Sequence, residues 1–259
     1  MTVAPSTAQG DLPTRRQVLA LAWPVVIANI ATPLLGLVDT AVIGNTGEVY
    51  ALGAIALAAL LFHFVFWSFG FLRMGTTGFT AQALGAGDHA EVRAALARAL
   101  GMAVVIGSAL LLLQGPIGQL AWQLFDASPN VEASAAEYFA VRIWGAPAAL
   151  CLFAVMGNLI GRGETRTLLA LQLFMNGLNA GLDVLFAGVL GWGVAGVALG
   201  TVLSEWVTLG VALVLVLRRL ARDHTDSEPF WPRQRVMNTA RAAETLRANG
   251  DILVRTFTL

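Results

Sequence analysis

The sequence predicts an all-α fold, a polytopic membrane helix bundle of six transmembrane helices plus the start of a seventh, and three observations carry that expectation. Hydrophobic residues make up 57% of the 259 residues and charged residues only 12%, whereas an ordinary soluble domain carries about 25% charged residues. Apolar runs recur along the chain, each long enough to match the roughly 20 residues that cross a bilayer's hydrocarbon. The arginines that flank these runs cluster in alternate connections.

The first run follows Arg15 and Arg16 and continues to about Ile43. That exceeds the roughly 7 to 15 residues of a cleavable signal core, so it reads as a retained membrane helix. The expected helices cover residues 17–42, 50–82, 94–122, 134–160, 167–190 and 192–218. Breaks are expected at 44–47, 85–88, 126–130, 161–164 and 188–193, where small or polar residues release the helix. Past Arg218 and Arg219 the composition turns polar, with Pro229 and Pro232. The organisation that follows is a cytoplasmic N-terminal segment (1–16), a six-helix transmembrane bundle (17–219), a cytoplasmic linker with a short amphipathic segment (220–248) and the opening turns of a seventh span (249–259).

Orientation is read from charge. Arg15 and Arg16, Arg93 and Arg98, Arg162 and Arg166, and Arg218, Arg219 and Arg222 mark alternate connections, and the connections between them carry none. The positive-inside rule therefore puts the N-terminus in the cytoplasm and the chain in the plasma (inner) membrane as a multi-pass protein. The 16 basic residues are balanced by 16 acids, so no net charge draws the chain to nucleic acid. Cys151 is the single cysteine and lies in an apolar stretch, which reads as packing. His63, His89 and His224 are scattered, and neither a His-Glu-x-x-His nor a Gly-x-Ser-x-Gly pattern occurs. No enzyme and no cofactor are expected. Gly191-Trp192-Gly193-Val194-Ala195-Gly196 matches a dinucleotide fingerprint as a string, but it follows a membrane helix in place of a strand and reads as a turn with helix packing.

Acids at bilayer depth cost roughly 2.5 to 3.5 kcal/mol each, which makes Asp39, Asp183 and Glu205 functional candidates. In the fifth span Gln172, Asn176, Asn179 and Asp183 recur at helical spacing and share one narrow face. Gly177 and Gly181 form a small-xxx-small pair nearly opposite that face. The first span repeats the theme with Asn29, Thr32, Gly36 and Asp39, and with Pro24 as a hinge; the sixth aligns Thr201, Glu205 and Thr208. Hydrogen bonding between helices alone would also account for such stripes. Two neighbouring buried carboxyls would gain proton affinity from desolvation and mutual repulsion, and carboxylate and amide oxygens suit a hard cation. Asp183, Asn179 and Asn158 are thus the candidate H⁺ or Na⁺ coupling site, with Thr201 as a further oxygen donor. Trp67, with His63, Gly70, Met74 and Thr77, forms a stripe that would line a cavity, as would Asn29, Gln172, Asn176 and Glu205. Arg73 and Arg142 pair with acids or snorkel, and the sequence names no partner for either.

The segment from Arg73 to Asp88 (RMGTTGFTAQALGAGD) resembles the end of the second helix in transporters of the multidrug and toxic compound extrusion (MATE) family, DNA-damage-inducible protein F subfamily. Leu37-Val38-Asp39-Thr40 with Gly44, Gly161-Arg162-Gly163-Glu164-Thr165, and Asn179 with Asp183 resemble further motifs of that family, and Asn249-Gly250-Asp251-Ile252 with Arg255 resembles the beginning of its seventh helix. The resemblance implies half of a twelve-helix fold made of two six-helix bundles. It implies alternating-access export of organic cations or lipophilic drugs in exchange for H⁺ or Na⁺. By residue match, Asp39 would carry the protonation that bends the first helix at Pro24, and Asn158, Asn179, Asp183 and Thr201 would form the polar or ion site. The second bundle has no counterpart here, so a complete cavity calls for the missing half or another chain, and a truncated product or fragment is the expected explanation. The rival readings are a lipid-linked precursor flippase of the same superfamily, with basic residues lining its cavity, and a non-transporting membrane fragment.

Overall fold

The structure, a computed structural model, describes residues 15–44, 49–125, 127–223, 229–237, 247 and 250, with only part of the side chains of the first helix. No strand occurs among them. The helices are α1 (Arg15–Gly44), α2 (Val49–Ser68), α3 (Phe71–Gly85), α4 (His89–Leu112), α5 (Gln114–Leu124), α6 (Pro129–Arg142), α7 (Ala146–Gly161), α8 (Thr165–Asp183), α9 (Gly193–Arg222) and α10 (Arg233–Val236). Five stretches beyond α1 are long and apolar enough to cross a membrane: Tyr50–Gly85, His89–Leu112, Pro129–Gly161, Thr165–Val189 and Gly193–Arg222. With α1, whose 30 residues extend about 45 Å at helical rise, they match the six expected crossings. The expected N-terminal segment lies outside the described residues except Arg15 and Arg16, as does nearly all of the expected seventh-span start.

Four of the expected continuous helices are interrupted, and proline explains two of the interruptions. Pro116 has no N–H to give Leu112, so the ladder stops there and restarts as α5, with Ile117 N–H bonding Leu113 O at 3.0 Å. Pro147 withholds the same bond from Ile143, and a 3₁₀ turn at Ile143–Gly145 joins α6 to α7. The second crossing breaks at 69–70, ahead of α3, where Gly70 weakens the helix. The fifth ends in a π-helical turn at Val184–Val189, closed by Leu190 N–H bonding Leu185 O at 2.9 Å. The third and fourth crossings also begin earlier than expected, at His89 and Pro129. Asp88 accepts the Glu91 N–H at 3.0 Å and caps α4.

The fourth crossing is the centre of the bundle: its apolar window is 83% buried, against 28–50% for the other four. It packs on α3, α4 and α9, while α1 lies along α8, α8 along α9, and α2 along α6. Close approach depends on missing side chains. A Cβ at Gly157 would come 2.5 Å from Arg73 O, one at Gly161 would come 2.7 Å from Thr77 O, and one at Gly107 would come 2.5 Å from Pro147 Cα. Among the described residues a small-xxx-small contact is made by Gly157 and Gly161 on α7 against α3. At Gly177 and Gly181, where it was expected, a Cβ would meet no described atom within 4 Å, and both glycines are exposed. Large apolar side chains such as Phe64, Val105, Leu112 and Val189 stay exposed on the outside, as a lipid-facing belt requires.

One ion pair ties three helices together. The guanidinium of Arg142 on α6 donates to both carboxylate oxygens of Glu205 on α9, at 2.9 and 2.6 Å. It also lies 5.2 and 5.3 Å from the ring centroids of Phe62 and Phe66 on α2. A Cβ at Gly145 would strike this pair, so the 3₁₀ turn leaves it room. At the arginine-rich end, the described piece of the linker docks on α4: Arg93 Nε donates to Phe230 O at 2.7 Å, Arg98 Nη1 to Arg235 O at 2.9 Å, and Arg235 pairs with Asp88 at 2.6 Å.

Two outcomes follow. Gly157→Val forces α3 away from α7 and should cost about 1 to 3 kcal/mol, lowering the thermal unfolding midpoint in detergent, whereas Gly101→Ala, at an open site, should leave it unchanged or higher. Glu205→Gln strands a buried guanidinium and should cost about 3 to 5 kcal/mol, while the Arg142→Met, Glu205→Leu double variant should recover most of that loss in the same melts.

Candidate functional site

Two polar features occupy the bundle interior, and α8 contributes to both. The first is an open cleft of about 470 Å³ whose lining includes Phe66 and Trp67 from α2, Arg73 from α3, Phe153 and Met156 from α7, and Gln172 from α8. A second chamber of about 310 Å³ shares Arg73, Met156 and Gln172 with it and adds Val25, Met74 and Thr77. Together they form one groove. Its walls are aromatic and thioether groups, with a few polar tips, as expected for a site that takes drug-sized molecules. Of the residues expected on a cavity wall, Trp67, His63, Met74, Thr77, Gln172 and Glu205 line this groove, Gly70 and Asn176 are in neither lining, and the side chain of Asn29 lies outside the described residues.

The charges in the cleft are not equivalent. Glu205 reaches the wall, but both its oxygens are held by Arg142. Arg73 is exposed and has no ion-pair partner among the described residues. Its backbone is fixed: Thr77 Oγ1 donates to Arg73 O at 2.8 Å, and Gly157 backs directly onto that carbonyl. Sequence reading left Arg73 and Arg142 without partners and did not single out Phe153 or Met156. The recurrence of Ala149, Leu152, Phe153 and Met156 on one face of α7 is a signal for that wall.

The second feature is sealed from the surface. Asp183 and Asn179 on α8 are fully buried against Thr201 on α9. Turned with its nitrogen toward the acid, Asn179 donates to Asp183 Oδ2 at 3.0 Å and its oxygen accepts from Thr201 Oγ1 at 3.1 Å. In that orientation the Asn179 oxygen also accepts from the Thr201 N–H at 3.1 Å, so the buried amide is satisfied on both sides. A Cβ at Gly200 would collide with Asp183 Oδ1, so glycine there makes the pocket for the acid.

Asn158 is placed apart from this cluster. It is fully buried on α7, its amide nitrogen donates to Thr80 Oγ1 on α3 at 3.3 Å, and its Oδ1 has no partner among the described residues. Asn176, half-buried, accepts from Gln172 at 3.3 Å, one turn along α8 from Asn179. Pro24 is buried within a continuous α1. The side chains of Asn29, Thr32 and Asp39 lie outside the described residues, although α1, which carries them, runs against α8 and its π turn. The Gly191–Gly196 string is a turn with packing: Gly196 closes onto Phe186 and Ala187, with a Cβ there 2.9 Å from the Ala187 nitrogen.

Comparison with known proteins agrees with this architecture. Residues 24–185 match the MatE family. The chain is 36% identical over 239 residues to the DNA damage-inducible protein F of Escherichia coli (strain K12), covering 92% of this chain and 51% of that protein. It is 29% identical over 210 residues to a probable multidrug resistance protein NorM of Thermotoga maritima, covering 79% of this chain and 45% of the relative. The crystal structure of a MATE protein in complex with MaD3S superposes with a TM-score of 0.76 at 23% identity, over 93% of this chain and 53% of the other. The chain therefore spans about half the length of the proteins it matches. Because the family match covers more than half of its residues and the helices follow the same fold, this chain belongs to the MatE family, whose members are membrane transporters and not enzymes.

Proposed function

We propose that this chain forms a six-helix half of a secondary active exporter, which moves amphiphilic, drug-like molecules across the plasma membrane in exchange for H⁺ or Na⁺ by alternating access. The observation that carries this reading is the buried Asp183–Asn179–Thr201 cluster on the same helix that lines the open cleft through Gln172. Asp183 lies 11 residues from Gln172, about 16 Å along α8. Proton or cation binding at Asp183 would weaken the hydrogen bond that Asn179 donates to it and so alter the contact of α8 with α9 next to the π turn. A coupling ion drives transport only by binding one conformation better than the other, and a buried carboxyl at a helix contact gives it a place to do so.

The donors are a carboxylate, an amide oxygen and a hydroxyl. All are hard oxygens suited to Na⁺ as well as to a proton. Asp39 is assigned a second carboxyl role here because its helix lies along α8. The arginines at alternate connections support a cytoplasmic N-terminus. The cleft of this half would be completed by a second six-helix half or another chain.

Dye uptake into everted membrane vesicles from cells expressing the full-length gene product checks the reading, with rhodamine 6G and sulforhodamine B as probes. Imposing an inward-acid gradient should load at least one dye, and Asp183→Asn should cut that loading at least tenfold. Replacement of H⁺ by a Na⁺ gradient distinguishes the coupling ions. If wild-type vesicles load neither dye under either gradient, export is excluded. Loading that survives unchanged in Asp183→Asn excludes the cluster as the coupling site.

A further inference from the structure

We infer that the cleft selects amphiphilic organic anions over the organic cations expected from sequence, with Arg73 as the group that recognises the negative charge. The inference rests on the export reading and names its substrate class.

The acid at the cleft is already paired within the protein. Glu205 is that acid, and a bidentate pair with Arg142 occupies both of its oxygens at 2.9 and 2.6 Å. Such a carboxylate offers an approaching cation little, because its field is cancelled by a guanidinium at contact distance. Asp183, the acid of α8, is fully buried. Neither chamber's lining includes it. His63, charged or neutral, adds no negative charge. What remains is Arg73, shared by both chambers, exposed, and without an acid partner among the described residues. The described cleft thus has a surplus of one positive charge.

That charge is also held in position. Gly157 and Thr77 fix the Arg73 backbone against α7, so its side chain projects from a rigid base where the chambers join. A guanidinium presents several N–H donors in a planar fork that matches carboxylate, sulfonate and phosphate oxygens. Around it, Phe66, Trp67, Phe153 and Met156 supply apolar walls. In such low-dielectric surroundings a fixed positive charge repels a cation more strongly than in water and attracts an anion by as much. The matching ligand is a molecule with a flat or greasy body and one anionic group. Soluble organic anions and anionic lipids share that chemistry.

The test measures binding of two dyes built on the same ring system, cationic rhodamine 6G and anionic sulforhodamine B, to the purified chain in phosphatidylcholine nanodiscs, by fluorescence anisotropy. Sulforhodamine B should bind more tightly. Arg73→Gln should weaken it about tenfold, the worth of one charge-assisted hydrogen bond. Arg73→Lys should keep the preference, and Arg73→Glu should reverse it. Adding phosphatidylglycerol separates the sources: competition with the dye assigns the site to an anionic lipid headgroup, and no competition assigns it to soluble anions. Tighter binding of rhodamine 6G by the wild-type chain, or sulforhodamine binding indifferent to Arg73→Gln, overturns the inference. Vesicle loading of rhodamine 6G alone would overturn it too while leaving the export reading intact.

Discussion

Hydrocarbon solvates neither a charge nor an open backbone bond, and this bundle is arranged around that constraint. Arg142 and Glu205 stand near the middle of their crossings, and neither could remain there alone. Their mutual pairing, with Phe62 and Phe66 beside the guanidinium, fixes how α6, α9 and α2 meet. The same logic places Asn158 against Thr80 and Asn179 against Asp183 and Thr201. Polar groups are turned into helix contacts, and apolar ones cover the outside.

Small residues make those contacts fit. Gly145 leaves space for the Arg142–Glu205 pair, Gly200 for the Asp183 carboxyl, and Gly157 and Gly161 for the approach of α3 to α7. Proline acts in the opposite sense, by ending the third crossing at Leu112 and by breaking the fourth with a 3₁₀ turn at Ile143–Gly145. The fourth crossing, most buried of those compared, is thereby both the packing centre and one wall of the cleft.

Function, on the reading proposed above, follows from a division of labour along α8. One part of that helix meets the cleft through Gln172, and another holds the buried acid and the amide that donates to it. An ion acting on the second part changes a helix contact that the first part shares. The cleft itself carries its charge on Arg73, because the acid that reaches its wall is already neutralised within the protein.

The sequence by itself determined the membrane class, the apolar runs that cross and the polar stripe of α8, because hydropathy runs and helical periodicity are local properties of the chain. It did not determine where crossings break, since a proline's effect depends on which carbonyl it deprives and whether the bundle tolerates the turn. The sequence placed the close glycine contact on Gly177 and Gly181, because two faces of a helix look alike until a neighbour is chosen. Tertiary structure alone decided that Gly157 and Gly161 make it, and that Arg142 takes Glu205 while Arg73 keeps its charge. Ion pairing between residues 63 positions apart is a matter of which helix faces which, and no spacing rule along one chain encodes that.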